Sequence, residues 1–147
     1  MTGAQFEPQE STSALIRALV ASDVQVANTL LDQGADAVRG GAKDPVMPLY
    51  VAQQHIQDAE QRHKMVRRLL AAGARATDVT QDGTTALILA ALEGDVGSVE
   101  IMLEHGADPM HQNEQGYNAV MAAEHGEHSK VVQILQDHMK SKSPKEL

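Results

Sequence analysis

One pattern recurs at a fixed interval along this chain of 147 residues. Residues 82–90 read Asp-Gly-Thr-Thr-Ala-Leu-Ile-Leu-Ala, and residues 115–123 read Gln-Gly-Tyr-Asn-Ala-Val-Met-Ala-Ala. Three apolar runs also end in Gly-Ala, at Gly34, Gly73 and Gly106, and the step between the last two glycines equals the step between the two stretches. A fixed interval of about 33 residues is typical of proteins built from stacked structural repeats.

Each repeat reads as two short helices followed by a loop. A glycine directly after a helical run favours the left-handed conformation that ends a helix. Helices this short are not stable alone, so neighbouring repeats must bury one another's apolar faces. The composition agrees, because 42% of the residues are hydrophobic and only 2% are aromatic, which suits closely packed helices rich in alanine. We therefore predict an all-α fold.

The repeats resemble the ankyrin repeat. The third is the best match, and the others share its register. Its matching positions are Gly83, Thr85, Leu87, Ala90, Ala91, Gly94, Val99, Met102, Leu103, Gly106, Ala107 and Asp108. The resemblance implies an ankyrin-repeat solenoid of four helix-turn-helix units with loop or β-turn fingers. The predicted repeats are 11–43, 44–80, 81–113 and 114–139, within a domain spanning 11–139. Residues 1–10 are expected to be a flexible lead, residues 11–13 to cap the first helix, and residues 140–147 to be a frayed tail.

Two departures from the family pattern stand out. The histidine that the family places at the corner of each repeat is replaced by Ile16, Tyr50, Ile88 and Met121. In the family this ring joins neighbouring repeats by hydrogen bonds, so apolar packing is expected to replace them here. The second repeat also carries six extra residues, one in the loop 40–43 and five between Ala52 and Met65. Because residues 53–63 contain neither glycine nor proline, we expect lengthened helices or an ordered bulge at the helix–helix turn.

Charge is distributed unevenly along the chain. The formal net charge of −8 argues against general nucleic-acid binding. Residues 62–75 carry five bases and no acid, whereas residues 78–138 carry eleven acids and Lys130 as their one base. This distribution either serves solubility alone or forms an acidic face that attracts a basic partner.

The sequence gives little support for catalysis. No nucleophile elbow, phosphate-binding loop or zinc signature is present, and the chain has no cysteine. His125 and His128 are close in sequence, but a zinc site needs further converging ligands. We therefore predict a protein that is not an enzyme and that has no cofactor and no metal. No stretch approaches the length of about 18 apolar residues that spans a membrane, and no signal peptide is evident. The expected location is cytoplasmic, with no membrane association.

The resemblance also implies where a partner binds. Ankyrin repeats present a concave face lined by the loop tips and by the outward positions of each first helix. The residues that fall at such positions, predicted here to bind a partner, are Arg39, Lys43, Gln54, His55, Gln81, Asp82, Thr84, Leu92, Glu93, Gln112, Glu114, Gln115, Tyr117 and His125. Tyr117 is either an exposed anchor for the partner or packs on the next loop.

Several functions are compatible with these features. The first is a non-catalytic protein-interaction module, monomeric when free, that inhibits or scaffolds a partner with a basic surface. A chain composed almost wholly of repeats favours a stand-alone inhibitor or adaptor, and one such role is an immunity protein that neutralises a bacterial toxin. The alternative is a structural subunit or homodimer that associates through its outer face and the enlarged second repeat.

Overall fold

The computed structural model describes residues 8–38 and 47–142, and their side chains from 14 to 38 and from 47 to 141. These segments form two compact units, Met1–Arg75 and Ala76–Leu147. The helices are α1 (Pro8–Val20), α2 (Val24–Asp32), α3 (Pro48–His55), α4 (Ala59–Ala71), α5 (Ala86–Glu93), α6 (Val96–Glu104), α7 (Ala119–His125) and α8 (Ser129–Lys142). The described residues contain one isolated β-bridge and no longer strand, so the predicted all-α class is confirmed.

The first unit packs the helix pair α1–α2 against the pair α3–α4. Leu15, Leu19, Met65 and Leu69 are at most 1% exposed and form the centre of this core. Helix α1 begins at Pro8, earlier than the start predicted after residues 11–13. Proline suits the first turn of a helix because its fixed φ is already helical and its missing N–H has no intrahelical acceptor there.

The enlarged second repeat has a longer second helix. Helix α4 has 13 residues against 9 in α6, and three residues join α3 to α4 where two join α5 to α6. These differences of four residues and one residue account for the five extra residues between Ala52 and Met65. Arg62 fixes the new turn by donating from Nη1 to the carbonyls of Ile56 (2.7 Å) and Gln57 (3.1 Å). Of the predicted lengthened helices or ordered bulge, the structure shows one longer helix, α4, and one added residue in the turn before it.

The second helix ends in the same way in the first three repeats. Gly34, Gly73 and Gly106 have φ values of 91°, 111° and 90°, the left-handed conformation that the sequence predicted. The alanine after each glycine donates its N–H back to the helix, as Ala107 does to the carbonyl of Met102 at 3.0 Å. This bond satisfies a carbonyl that the helix end would otherwise leave unpaired.

The second unit packs α5 against α7, with α6 and α8 behind them. Hydrogen bonds as well as apolar contacts join its two repeats. His128 Nε2 lies 3.0 Å from the Leu92 carbonyl, and the backbone N–H of Glu114 donates to the Asp82 carbonyl at 2.9 Å. The expectation that apolar packing alone replaces the family's histidine bonds is thus only partly correct. Ile88 is 4% exposed and does pack, but Met121 at the equivalent position is 42% exposed.

Helix α8 extends to Lys142, past the predicted boundary at residue 139, so residues 140–142 are helical. Residues 143–147 of the predicted tail lie outside the described part of the chain. Within that described part, none of the helices has the length and apolar character that crossing a membrane requires.

Candidate binding surface

The predicted binding residues of the first unit are only partly described. Gln54 is exposed and His55 is half-buried, both in the last turn of α3. The hydroxyl of Ser22 donates to the carbonyl of His55 at 2.8 Å, which ties the first repeat to the second at this point. Arg39 and Lys43 lie outside the described residues.

Much of the basic cluster at 62–75 is engaged within its own unit. Arg68 pairs with Asp32 on α2, and Lys64 pairs with Glu60 at 3.0 Å, one turn earlier on α4. Arg62 is bonded to the turn that precedes α4. Asp32 and Glu60 lie before residue 62, so a count of charges within residues 62–75 does not include these acidic partners. Arg62, Lys64 and Arg68 therefore stabilise the enlarged second repeat.

A hydrogen-bonded network shapes the finger of the third repeat. The carboxylate of Asp82 accepts from the Thr80 hydroxyl and from the Thr84 hydroxyl, the latter at 3.1 Å. The hydrogen bond from Thr80 is the main cause that lowers the pKa of Asp82 below 3.8, against a smaller opposing effect of burial. Thr84 is 8% exposed, so its side chain builds the finger, whereas Gln81 and Asp82 remain exposed at its tip.

Asn113, which was not among the predicted site residues, organises the finger of the fourth repeat. Its Oδ1 accepts from the backbone N–H groups of Gln115 and Tyr117, each at 3.0 Å. Its own N–H donates to the Tyr117 carbonyl at 2.9 Å, and its Nδ2 donates to the Thr84 hydroxyl at 3.2 Å. An asparagine shortly before Gln115-Gly116 is a turn signal that could have identified it. The finger leaves Gln112, Glu114 and Gln115 exposed.

Tyr117 is exposed and packs on the helix of its own repeat, not on the next loop. Its ring packs edge-on against His125, with centroids 6.4 Å apart and planes at 73°. It nevertheless remains 43% exposed. Met121 lies between them in sequence and is 42% exposed. Since residues four apart share one side of a helix, Met121 and His125 form one face of α7, next to the tyrosine that precedes the helix.

The third repeat continues this surface on α5. Leu92 is 42% exposed and Glu93 is exposed, both in the last turn of the helix. Leu92 and His125 occupy equivalent positions in successive repeats, on helices that pack directly against each other. Leu92 on α5 thus corresponds to His125 on α7, and the exposed Met121, which the sequence did not assign to a site, lies one helical turn before His125.

Several polar side chains of the second unit have local structural contacts. The Ser98 hydroxyl donates to the Asp95 carboxylate at 2.8 Å, and Asp95 caps α6. His128 and His111 bond to backbone carbonyls, and His125 packs on Tyr117. Among the described residues, no three His, Asp or Glu side chains are grouped so that they could hold a metal ion.

Comparison with known proteins agrees with the resemblance seen in the repeats. A family model described as "Ankyrin repeats (3 copies)" matches residues 49–145. The mouse and human proteins named "Ankyrin repeat domain-containing protein 63" are each 30% identical to this chain over 129 residues, or 87% of it. The chain spans about a third of their length, 33% and 34% respectively. The family match begins in α3, so the first repeat is assigned from the helix pair α1–α2 and its closing turn at Gly34.

Proposed function

Since this chain belongs to the ankyrin-repeat family, whose repeats are protein-interaction modules, we propose that its third and fourth repeats bind a partner protein with a basic surface. The proposed surface is the face that carries Leu92, Glu93, Tyr117, Met121 and His125. Binding would act without chemistry, either by covering the partner's functional surface or by holding the partner in place.

The exposure of Tyr117 is the observation that carries this proposal. The chain has only two tyrosines, one phenylalanine and no tryptophan, yet one of these rings is 43% exposed beside two further exposed apolar side chains. Tyrosine is enriched at the energetic centres of protein interfaces because it combines a large apolar ring with a polar end. The contact with His125 orients the ring and the bonds of Asn113 fix the Tyr117 backbone, so less conformational entropy is lost on binding.

The charge of the second unit supports a basic partner. Residues 78–138 contain eleven acids and one lysine. The lowered pKa of Asp82 favours its charged form at neutral pH. A field of one sign speeds encounter with an oppositely charged partner, and the effect weakens as salt screens it.

The same binding surface would serve several more specific functions. An inhibitor that occludes a basic protein is the simplest form, and an immunity protein that neutralises a basic toxin is one case of it. A scaffold or structural subunit would use the same face to hold its partner. A cytoplasmic location and a monomeric free state remain predictions.

Affinity capture with three matched baits tests the proposal. The first is the parent chain, and the second carries Glu93→Lys, Glu114→Lys and Glu124→Lys around the proposed surface. The third carries Glu100→Lys, Glu104→Lys and Asp137→Lys, which change the net charge equally on the second helices α6 and α8. Asp82 is left intact because its carboxylate holds the third finger together.

We expect the parent and the third bait to capture the same protein, of high isoelectric point, and the second bait to lose it. Equal capture by the second and third baits would overturn the proposed surface. Capture of an acidic protein by all three would overturn the proposed partner chemistry. Circular dichroism of each bait checks that the substitutions leave the helices folded.

A further inference from the structure

The side of the fourth repeat that faces away from the third repeat is more exposed to solvent than the corresponding side of the third repeat. Ile88 and Val99 of the third repeat are 4% and 0% exposed, because the fourth repeat packs against them. Their counterparts in the fourth repeat are Met121, which is 42% exposed, and Val132, which is half-buried. Apolar side chains that a neighbouring repeat covers in the third repeat therefore reach the surface in the fourth.

A shallow depression of about 500 Å³ adjoins these side chains. It is lined by Glu124, Glu127, His128, Ser129, Val132 and Gln133, around the turn from α7 to α8. Glu124 links it to the exposed row on α7, because it is one helical turn from Met121 and adjacent to His125. The depression and the row form one surface, defined here as the repeat-4 end face: Tyr117, Met121, Glu124, His125, Glu127 and Val132.

Glu127 occupies an unfavourable backbone conformation within this face. Its φ of 59° is left-handed, and the equivalent residue in the third repeat is Gly94, with a φ of 74°. The first repeat also has a residue other than glycine at this position, Ser22 with a φ of 56°, but its hydroxyl bonds to the His55 carbonyl. The Glu127 carboxylate has no such partner within the described residues. Strained backbone conformations concentrate at functional sites. A strained residue whose side chain has no contact within the protein is therefore a candidate for contact with a partner.

We propose that the repeat-4 end face binds an arginine-bearing segment of the partner protein. The inference rests on the proposed function and names the chemistry that its surface recognises. Glu124 and Glu127 are both exposed, and the two oxygens of either carboxylate match the paired N–H groups of a guanidinium. The exposed ring of Tyr117 offers a π-face on which a guanidinium stacks, and Met121 and Val132 contact the aliphatic part of the arginine side chain.

Arginine fits this combination better than lysine does. Its planar guanidinium both stacks on aromatic rings and forms paired bonds with a carboxylate, whereas an ammonium is a compact, strongly hydrated charge. The second copy of this chain is a poorer occupant, since two end faces in contact would place Glu124 and Glu127 against the same acids. Like charges brought together in an interface oppose association.

Synthetic peptides of equal length test the inference directly. One alternates Arg with Leu, the second alternates Lys with Leu, and the third alternates Glu with Leu. Binding of each fluorescently labelled peptide to the full chain is measured by anisotropy at two salt concentrations. The variants are Tyr117→Leu, Tyr117→Phe and the pair Glu124→Gln with Glu127→Gln, and the matched control is Glu100→Gln with Glu104→Gln on α6.

We expect the Arg peptide to bind at least about threefold more tightly than the Lys peptide, and the Glu peptide not to bind. Tyr117→Leu and the double Glu124/Glu127 variant should each weaken Arg-peptide binding about tenfold, a loss of the size that removal of an interface contact produces. Tyr117→Phe, which keeps the π-face, and the control pair should bind as the parent does.

Equal affinity for the Arg and Lys peptides, or unchanged affinity in Tyr117→Leu, would overturn the inference. A doubled mass of the free chain in sedimentation, lost in Tyr117→Leu, would assign the face to a second copy instead. Failure of the end face is distinguishable from failure of the proposed function. If only the end-face inference fails, the Arg peptide shows no preference, but the variant with Glu93, Glu114 and Glu124 changed to Lys still loses the partner that the parent chain captures.

Discussion

The Nε2–H of His128 donates to the carbonyl oxygen of Leu92 at 3.0 Å, across 36 residues of sequence. Nε2 carries the hydrogen because a carbonyl oxygen only accepts. Two glycines make room for the ring: a Cβ at Gly94 would lie 2.4 Å from His128 Nδ1, and one at Gly126 would lie 2.6 Å from His128 Cδ2. This contact anchors the start of α8 to the end of α5, beside the exposed Leu92 side chain.

His128→Ala removes this connection between the third and fourth repeats. We expect the free energy of unfolding to fall by about 1–2 kcal/mol, the range for loss of a hydrogen bond that leaves its acceptor partly desolvated. Urea denaturation followed by circular dichroism measures the change. His105→Ala is the control, because the His105 ring bonds to Ile101 within its own helix, and it should cost less. Equal losses in both variants would contradict the role of His128 between repeats.

Gly94→Ala and Gly106→Ala separate backbone strain from crowding. Both glycines have positive φ, 74° and 90°, so an alanine at either position costs about 1–2 kcal/mol in the left-handed conformation. Of the two, only Gly94 has a ring within 4 Å of the added Cβ. Gly94→Ala should therefore lose clearly more stability than Gly106→Ala, as measured by urea denaturation. The excess should shrink in the double variant Gly94→Ala with His128→Ala. If it does not, His128 is not the obstacle.

Asp82 makes the stability of the second unit depend on pH. Because its folded pKa lies below 3.8, the folded state favours the carboxylate, and this contribution is fully present well above that value. It is lost as pH falls through the lower pKa of the folded state. Asp82→Asn should thus be less stable than the parent at neutral pH, and the difference should shrink as pH falls through the lowered pKa of the folded state, below which both side chains are uncharged. The difference should be modest, since water screens this exposed finger.

Urea titrations of the parent and of Asp82→Asn at several pH values measure this dependence. Thr80→Ala removes the main donor to the carboxylate and serves as the companion variant. It should reproduce most of the pH dependence, and combining the two substitutions should remove little more of that dependence, because both abolish the hydrogen bond from Thr80 to Asp82. A difference between Asp82→Asn and the parent that stays constant from neutral to strongly acidic pH would refute the role of the charge.

The elements with a strong local signal could be predicted from the sequence. The glycines at positions 34, 73 and 106 predicted helix ends, and all three have the expected positive φ. The absence of glycine and proline from residues 53–63 predicted lengthened helices, and α4 is the helix that is extended. In each case the residue type itself restricts or favours one backbone conformation, so no distant contact was needed.

Features that depend on distant partners could not be predicted. The pairing of Arg68 with Asp32 joins residues 36 apart, and only packing brings them together. Thr84 was assigned to the binding surface because tips are usually exposed, but its bonds to Asp82 and Asn113 draw it into the finger. Glu127 adopts a left-handed conformation that is typical of glycine, so its residue type gave no warning. Met121 was expected to pack as Ile88 does, and differs because the described residues place no repeat over it.

Glu127→Gly should raise stability and reduce binding. Glycine adopts a φ of 59° without the steric cost that glutamate meets, although it also gains freedom in the unfolded chain. We expect a net gain of about 0.5–1 kcal/mol in the free energy of unfolding. Glu127→Gln is the control, since it keeps the strain and removes only the charge. Both variants should bind the Arg peptide more weakly than the parent, and a glycine variant with no gain in stability would contradict the strain argument.

Hydrogen–deuterium exchange, compared between the free chain and the chain bound to the protein that the parent bait captures, maps the partner-binding surface. We expect slower exchange on binding in the finger of the fourth repeat, residues 112–118, and in the last turns of α5 and α7. Exchange in the second helices α6 and α8 should change much less. Protection confined to α6 and α8, or to α4, with the fingers of the third and fourth repeats unchanged, would contradict the proposed surface.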